Sequence, residues 1–243
     1  PAFADGRVYV QGTGILSNDF LHCFDAERGH VLYQATQLRQ SVQLLAPTPH
    51  AGMLALQGGS FGGMQLFDGV TGNPLWYTPL LQESRWTPAV DQDRCYAFLV
   101  GRFYALDRRT GSIEFEINGG SNWADTQTVV LGDQDDAVVV ARNRLIRVDL
   151  TTRAVVFDIR DAFGGAAAIR SGVIYVINNG VLEARQQTDG ALLWSWASPG
   201  RRLERDVVVT DSHALVHSDT TTYLVNLTSR QTDWSLAESG DLA

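Results

Sequence analysis

Four groups of residues have types and spacings that could do chemistry. His213 and His217 lie four apart, the spacing of a metal pair on a helix. They fall in an apolar strand pattern instead, where ~3.3 Å per residue puts them ~13 Å apart, too far to share an ion. Asp133, Asp135 and Asp136 in LGDQDDAV suggest a calcium loop. An EF-hand needs Gly at its sixth place and Glu at its twelfth, and those places hold Val138 and Arg144. The glycine-rich run GGSFGG from Gly58 lacks the lysine of a phosphate loop. Cys23 and Cys95 sit singly in strand-like runs and read as small buried hydrophobes. His22, His30 and His50 flank or occupy turns, with no serine or cysteine partner visible. Every one of the 19 basic residues is arginine, so Schiff-base and lysine-base chemistry are excluded.

The elements that must position these groups come from a repeat. A turn of the form Asp-x-x-Thr-Gly, followed by an aromatic, recurs six times. Its anchors are Asp25, Asp68, Asp107, Asp149, Gln186 and Asn226, spaced 43, 39, 42, 37 and 40 residues apart. The aromatic stands eight residues after each anchor: Tyr33, Trp76, Phe115, Phe157, Trp194 and Trp234. Aromatics are only 9% of the chain, so the recurrence is a structural period. Each period holds four short strands, A to D, joined by turns. In the third, TPAV, CYAFLV, FYALD and SIEFEI are separated by DQDR, Gly101-Arg102 and RRTG. The anchor Asp can accept two backbone N–H bonds, and Gly at the fifth place supplies the φ > 0 of a bulged hairpin. Arg153 and Arg230 replace that Gly, so their turns must differ or carry strain. Asn226-Leu-Thr, formally a glycosylation sequon, reads as a turn anchor.

The pattern VYV…FYALDRRTG…aromatic resembles the pyrroloquinoline-quinone-type propeller repeat, across essentially the whole chain. The resemblance implies an all-β fold: a β-propeller of four-stranded antiparallel blades, six of them visible, as one domain over 1–243. Propellers of this type usually have seven or eight blades, so a piece of a larger ring is favoured over a closed ring of six. Within the tail SLAESGDLA, residues 237–243 read as the first strand of a further blade. The family's enzymes hold the quinone with an adjacent Cys-Cys disulfide, a stacking Trp, calcium and an Asp base. This chain has no Cys-Cys pair, so the resemblance is closer to the cofactor-free, BamB-like scaffold propellers than to the quinoprotein dehydrogenases. No catalytic residue, cofactor or metal is expected. The resemblance also implies a bacterial protein of the periplasm or cell exterior.

A net charge of -8 argues against nucleic acid as partner. No run of 18 apolar residues exists to span a membrane as a helix. The chain begins abruptly with PAFADGRVYV, already in a strand pattern, as though an upstream segment had been removed. In a propeller the D–A and B–C segments emerge on one face. Here they are the long, non-repeating ones, rich in Trp and Arg, the residue types of interface hot spots. They supply the candidate partner-binding residues Phe61, Arg85, Trp86, Trp123, Phe163, Arg201 and Arg202. The expected partner is a protein or peptide. The alternatives are the propeller domain of a quinoprotein-like enzyme, or a carbohydrate binder that stacks sugars on Trp86 and Trp123.

Overall fold

Runs such as RCYAFL, RFYALD and VIYVIN are buried at nearly every position. A strand reads that way when neighbours cover both of its faces. The fourth strand of each repeat differs: Ile113–Asn118 alternates exposed and half-buried residues, as does Leu192–Trp196. That is the pattern of an outer strand with one face to water. The computed structural model describes residues 1–13, 19–35, 47–57, 62–81, 83 and 86–238. Among them are six sheets of four antiparallel strands, each in the order A-B-C-D. The fold is all-β, built from the blades of a β-propeller.

The chain divides into two compact units. Unit one, Pro1–Val129, holds blades one to three. Blade three is Ala89–Val90, Arg94–Leu99, Arg102–Asp107 and Ile113–Asn118. Unit two, Val130–Ala243, holds blades four to six. Blade five is Phe163–Arg170, Val173–Asn178, Val181–Gln186 and Leu192–Trp196. Inside each unit the apolar clusters lie between consecutive blades. Met64, Leu66 and Ala55 of blade two pack on Cys95, Ala97, Tyr104 and Leu106 of blade three. Tyr175, Ile177 and Leu182 of blade five pack on Val207, Val216 and Val225 of blade six. Both cysteines are free and fully buried, as their runs imply.

The C–D turns carry the repeat in atomic detail. Asp68 Oδ1 accepts from the N–H groups of Val70 and Thr71 at 2.9 and 2.7 Å. Asp25 does the same for Glu27 and Arg28, and Asn226 for Thr228 and Ser229. The sequon asparagine is therefore a turn anchor. In the fifth copy the anchor is Gln186, and Asp189 takes over by accepting from Ala191 N–H at 2.9 Å. The fifth turn residue has φ between 57° and 75° in every copy, Arg153 and Arg230 included. Those two arginines thus adopt the glycine conformation and carry its strain instead of forming a different turn. A register shift follows on strand C in all six blades, as at Ala105/Leu106 and Arg147/Val148.

One backbone bond recurs with the same regularity. The N–H one residue after each anchor donates to the carbonyl of the A–B turn. The pairs are Ala26 to Gly6, Gly69 to Gly52, Arg108 to Asp93, Leu150 to Asp135, Gln187 to Gly172 and Leu227 to Ser212, at 2.8–3.0 Å. It holds both turns at the same end of the blade. The anchored aromatic then reaches into the next blade of its unit. Tyr33 Oη donates to Gly69 O at 3.1 Å, and Trp76 Nε1 to Arg108 O at 2.8 Å. Of the strand expected at 237–243, residues 239–243 lie outside the described residues.

Two substitutions in blade three should move stability in opposite directions. A Cβ on Gly111 (φ +74°) would lie 2.7 Å from Trp76 Cδ2 and 2.8 Å from Thr78 Oγ1. Gly111→Ala combines left-handed strain with that overlap and should cost about 2–3 kcal/mol. Val100, a β-branched residue, sits at φ +48° in the B–C turn. Val100→Asn should stabilise by about 1 kcal/mol, because asparagine tolerates this region. Urea melts of the two variants check the signs; a Val100→Asn variant no more stable than wild type would remove the strain argument.

The turn carboxylates also fix a pH response. Asp68 is held below its ordinary value chiefly by the Thr71 N–H, Asp107 by the Thr110 hydroxyl, and Asp149 by the Thr152 N–H. A carboxylate depressed in the folded state lends stability above its unfolded pKa, and that stability is lost as pH falls through the folded one. The loss should therefore begin below about pH 4. The triple variant Asp68→Asn/Asp107→Asn/Asp149→Asn keeps an acceptor oxygen without the titration. Its stability should fall less steeply than wild type between pH 4 and 2, read by denaturant melts along the pH series.

Candidate functional site

The D–A and B–C segments do meet at one end of the blades. Gly119 N–H donates to Gly101 O in blade three, Asp161 N–H to Asn143 O in blade four, and Leu203 N–H to Gly180 O across blade five, each at 3.0 Å. Each D–A segment thus folds back over a two-residue B–C turn. These turns have φ > 0 at both centres, as at Val100-Gly101 and Asn179-Gly180, which suits the twist of a hairpin.

At blade three, tryptophan packs into this end. Gly120–Trp123 forms a single 3-10 turn. Trp123 is only 4% exposed, its ring 6.0 Å from that of Phe98. The fit leaves no side-chain room at Gly119, whose Cβ would overlap the Trp123 ring. Trp86 is 1% exposed and belongs to the cluster between blades two and three. Its indole Nε1 has no hydrogen-bond partner. Both rings pack inward and offer no face to a ligand. Phe61 and Arg85 lie outside the described residues.

In unit two a polar network runs along blade five from this end toward the C–D turn. Phe163 is buried, with the Arg185 guanidinium 5.1 Å above its ring. Arg185 Nε donates to Glu183 at 2.7 Å and Nη1 to Gly190 O at 2.9 Å. Asn178 Nδ2 bridges Glu183 and Asp161 at 3.0 and 2.9 Å. The Asn178 amide, then the Ala162 N–H and more weakly Arg185, hold the Asp161 carboxyl below the usual carboxylate range. Above this network lie the two exposed arginines. Arg202 donates to Asn179 Oδ1 on the blade-five turn. Arg201 pairs with Asp219 on the blade-six turn at 2.5 Å, with side chains 68% and 44% exposed. Of the residues expected on a partner face, Arg201 and Arg202 are the described ones that reach solvent.

Several clusters in unit two left no clear mark in the sequence. Asp136 and Arg147 form a buried pair, Arg147 Nε donating to Asp136 Oδ2 at 2.6 Å. Gln187 Nε2, from the next blade's turn, donates to Asp136 Oδ1 at 2.8 Å. The one available signal was a charge in each of the buried runs DAVVV and RLIRVD. Asp133–Asp136 is an A–B turn, with Asp135 at φ +55° and accepting from the Thr151 hydroxyl at 3.0 Å. His213 and His217 take separate partners. His217 is buried with Nδ1 3.2 Å from Ser218 O. His213 stands between Ser212 Oγ and Asp233 Oδ2, each at 2.7 Å. Serine, imidazole and carboxylate in series resemble a nucleophile relay. Here, however, the carboxylate is exposed and also accepts from Asn226 Nδ2 at 3.2 Å. The chain braces the sixth blade's turns. The His213 bond, then the Asn226 bond, hold Asp233 below its ordinary value.

These features define a class: a β-propeller of quinone-type repeats whose repeated residues build turns and blade contacts. The family follows from its sequence model, described as Outer membrane protein assembly factor BamB, which matches residues 1–163; the chain belongs to that family. No curated protein matches it in sequence. Among solved structures it is similar to BamB from Moraxella catarrhalis, with a TM-score of 0.73 and 16% identity over 97% of this chain and 74% of that one. It is also similar to the computationally designed Ika8 protein, with a TM-score of 0.70 and 11% identity over 98% of this chain and 86% of that one. At such identities the likeness is one of fold.

The two kinds of ion pair should differ sharply in cost. Asp136→Ala strands a buried guanidinium and should destabilise by about 3–5 kcal/mol. Arg201→Gln removes an exposed pair and should cost under about 1 kcal/mol. Denaturant melts separate them, and equal costs would contradict the burial argument.

Proposed function

We propose that this chain is a non-enzymatic scaffold that binds a protein partner through the D–A/B–C end of its blades. The observation that carries the reading is the family match over residues 1–163, to a family named for outer membrane protein assembly. That membership supports a place in the periplasm or at the outer membrane, among the components that assemble outer-membrane proteins. The chemistry of the end is compatible. Arg201 and Arg202 are bonded to exposed Asp219 and to Asn179, so exchanging those acceptors for a partner's carboxylates costs little. The carbohydrate reading required open tryptophan faces, and Trp86 and Trp123 are buried.

The test is binding of the purified chain to the periplasmic region of the outer-membrane assembly machinery of its own bacterium, by biolayer interferometry. Saturable binding should weaken at least tenfold in Arg201→Glu/Arg202→Glu, with an unchanged melting temperature. Absence of binding at 100 µM, which corresponds to roughly 5–6 kcal/mol of affinity, would remove the scaffold reading. Binding that the double variant leaves intact would move the interface elsewhere.

A further inference from the structure

The opposite end of the blades, where the A–B and C–D turns lie, holds a cleft of about 520 Å³ between blades two and three. That volume suits a small ligand or one or two residues of a peptide. Its wall includes Met53 from blade two and the charged turn residues of blade three. Three of those six charges are already engaged. Arg94 is paired with Glu114 at 2.8 Å. Asp107 accepts from the N–H and hydroxyl of Thr110 at 2.7 and 2.8 Å.

Arg108 differs from the rest in holding a buried donor without an acceptor. Its main chain is fixed from both sides: its N–H donates to Asp93 O, and its carbonyl accepts from Trp76 Nε1, both at 2.8 Å. Arg108 lines the cleft, and its Nη1 is buried with no hydrogen-bond partner. A buried cationic donor without an acceptor is costly, and a carboxylate is the acceptor that a guanidinium fork fits best. Arg109 lines the same cleft and makes no ion pair among the described residues. The carboxylates of Asp93, Asp107 and Glu114 on the wall oppose a second negative charge, so a monoanion is favoured over a phosphate dianion. Met53 adds an apolar contact for a short side chain.

We propose that this cleft binds a carboxylate carried on a small apolar group, with Arg108 as its main anchor and Arg109 as its second. The site lies at the turn end of blades two and three, opposite their own D–A and B–C segments, and does not depend on the scaffold reading. The chemistry fits either a peptide's C-terminal carboxylate or an acidic side chain.

The Trp76 indole N–H, bonded to the Arg108 carbonyl, is a reporter in ¹⁵N-labelled protein, assigned by its disappearance in Trp76→Phe. N-acetyl-leucine tests the C-terminal carboxylate and N-acetyl-glutamic acid α-amide the side-chain one. N-acetyl-leucinamide removes the charge, and inorganic phosphate tests the dianion. One or both carboxylates should shift the Trp76 signal saturably, with a Kd on the order of 1 mM for so small a ligand. The affinity should fall at least tenfold in Arg108→Gln and several-fold in Arg109→Gln, and stay unchanged in Arg201→Gln. Arg109 is exposed, so its variant keeps the test open should Arg108→Gln fold poorly. The proposal fails if the amide shifts the signal as the acids do, if phosphate binds more tightly, or if neither arginine variant changes the titration. It fails equally if no probe perturbs Trp76, the outcome expected were Nη1 satisfied by a structural water alone.

Discussion

The backbone bond from the residue after each turn anchor to the A–B turn carbonyl is the constraint on which the blade depends. It ties the second hairpin of a sheet to the first, at one end, in all six blades. Once that end is tied, the chain must leave strand C through a tight turn. The anchor side chain caps that turn, the fifth residue goes left-handed, and the register shifts by one on the way into strand D. The shift matters because side chains alternate faces along a strand. It sets which face the residue eight places after the anchor takes. In five blades that residue is half-buried, while Trp234 of the sixth is 45% exposed.

The contact between blades follows from the same geometry. Tyr33 covers Gly72, and Trp76 covers Gly111, so closely that a Cβ on either glycine would overlap the ring. Glycine at the fifth place therefore answers two demands, the left-handed backbone and the approach of an aromatic. Arg230 shows what happens when only the first can be met by other means. It accepts the strained φ and turns its guanidinium over the Trp194 ring, 5.8 Å from the centroid. A cation over an indole face replaces the contact that glycine would have made with its backbone.

This explains which parts of the molecule could be read in advance. The anchors, fifth residues and aromatics are local, repeated six times, and governed by backbone sterics; the four-strand blade and the propeller class follow from them. The buried cysteines and the structural role of Asn226 were legible for the same reason. The loop end was not. Trp86 and Trp123 have the composition of binding residues, and only the fold back of 119–125 over Val100-Gly101 buries Trp123. Nor does any local pattern join Asp136 to Gln187, 51 residues on in the next blade, or Ser212-His213 to Asp233 across a sheet. Those pairings depend on how strands and blades align, which a single turn motif does not encode.

The exclusive use of arginine takes on a structural meaning in these pairings. Arg147 sends Nε to Asp136 and Nη1 toward Thr188 O at 3.4 Å, joining two blades. Arg185 sends Nε to Glu183 and Nη1 to Gly190 O. Each spans two acceptors in different directions with one planar group, which a lysine ammonium on its flexible stem does less well. In the blades of unit two the guanidinium is thus a staple whose donors end on the protein's own oxygens. Arg108 has the same group, and its backbone is held as firmly, but its buried Nη1 ends on no oxygen of the protein. The difference lies in whether each buried donor finds an acceptor, and at Arg108 Nη1 it does not.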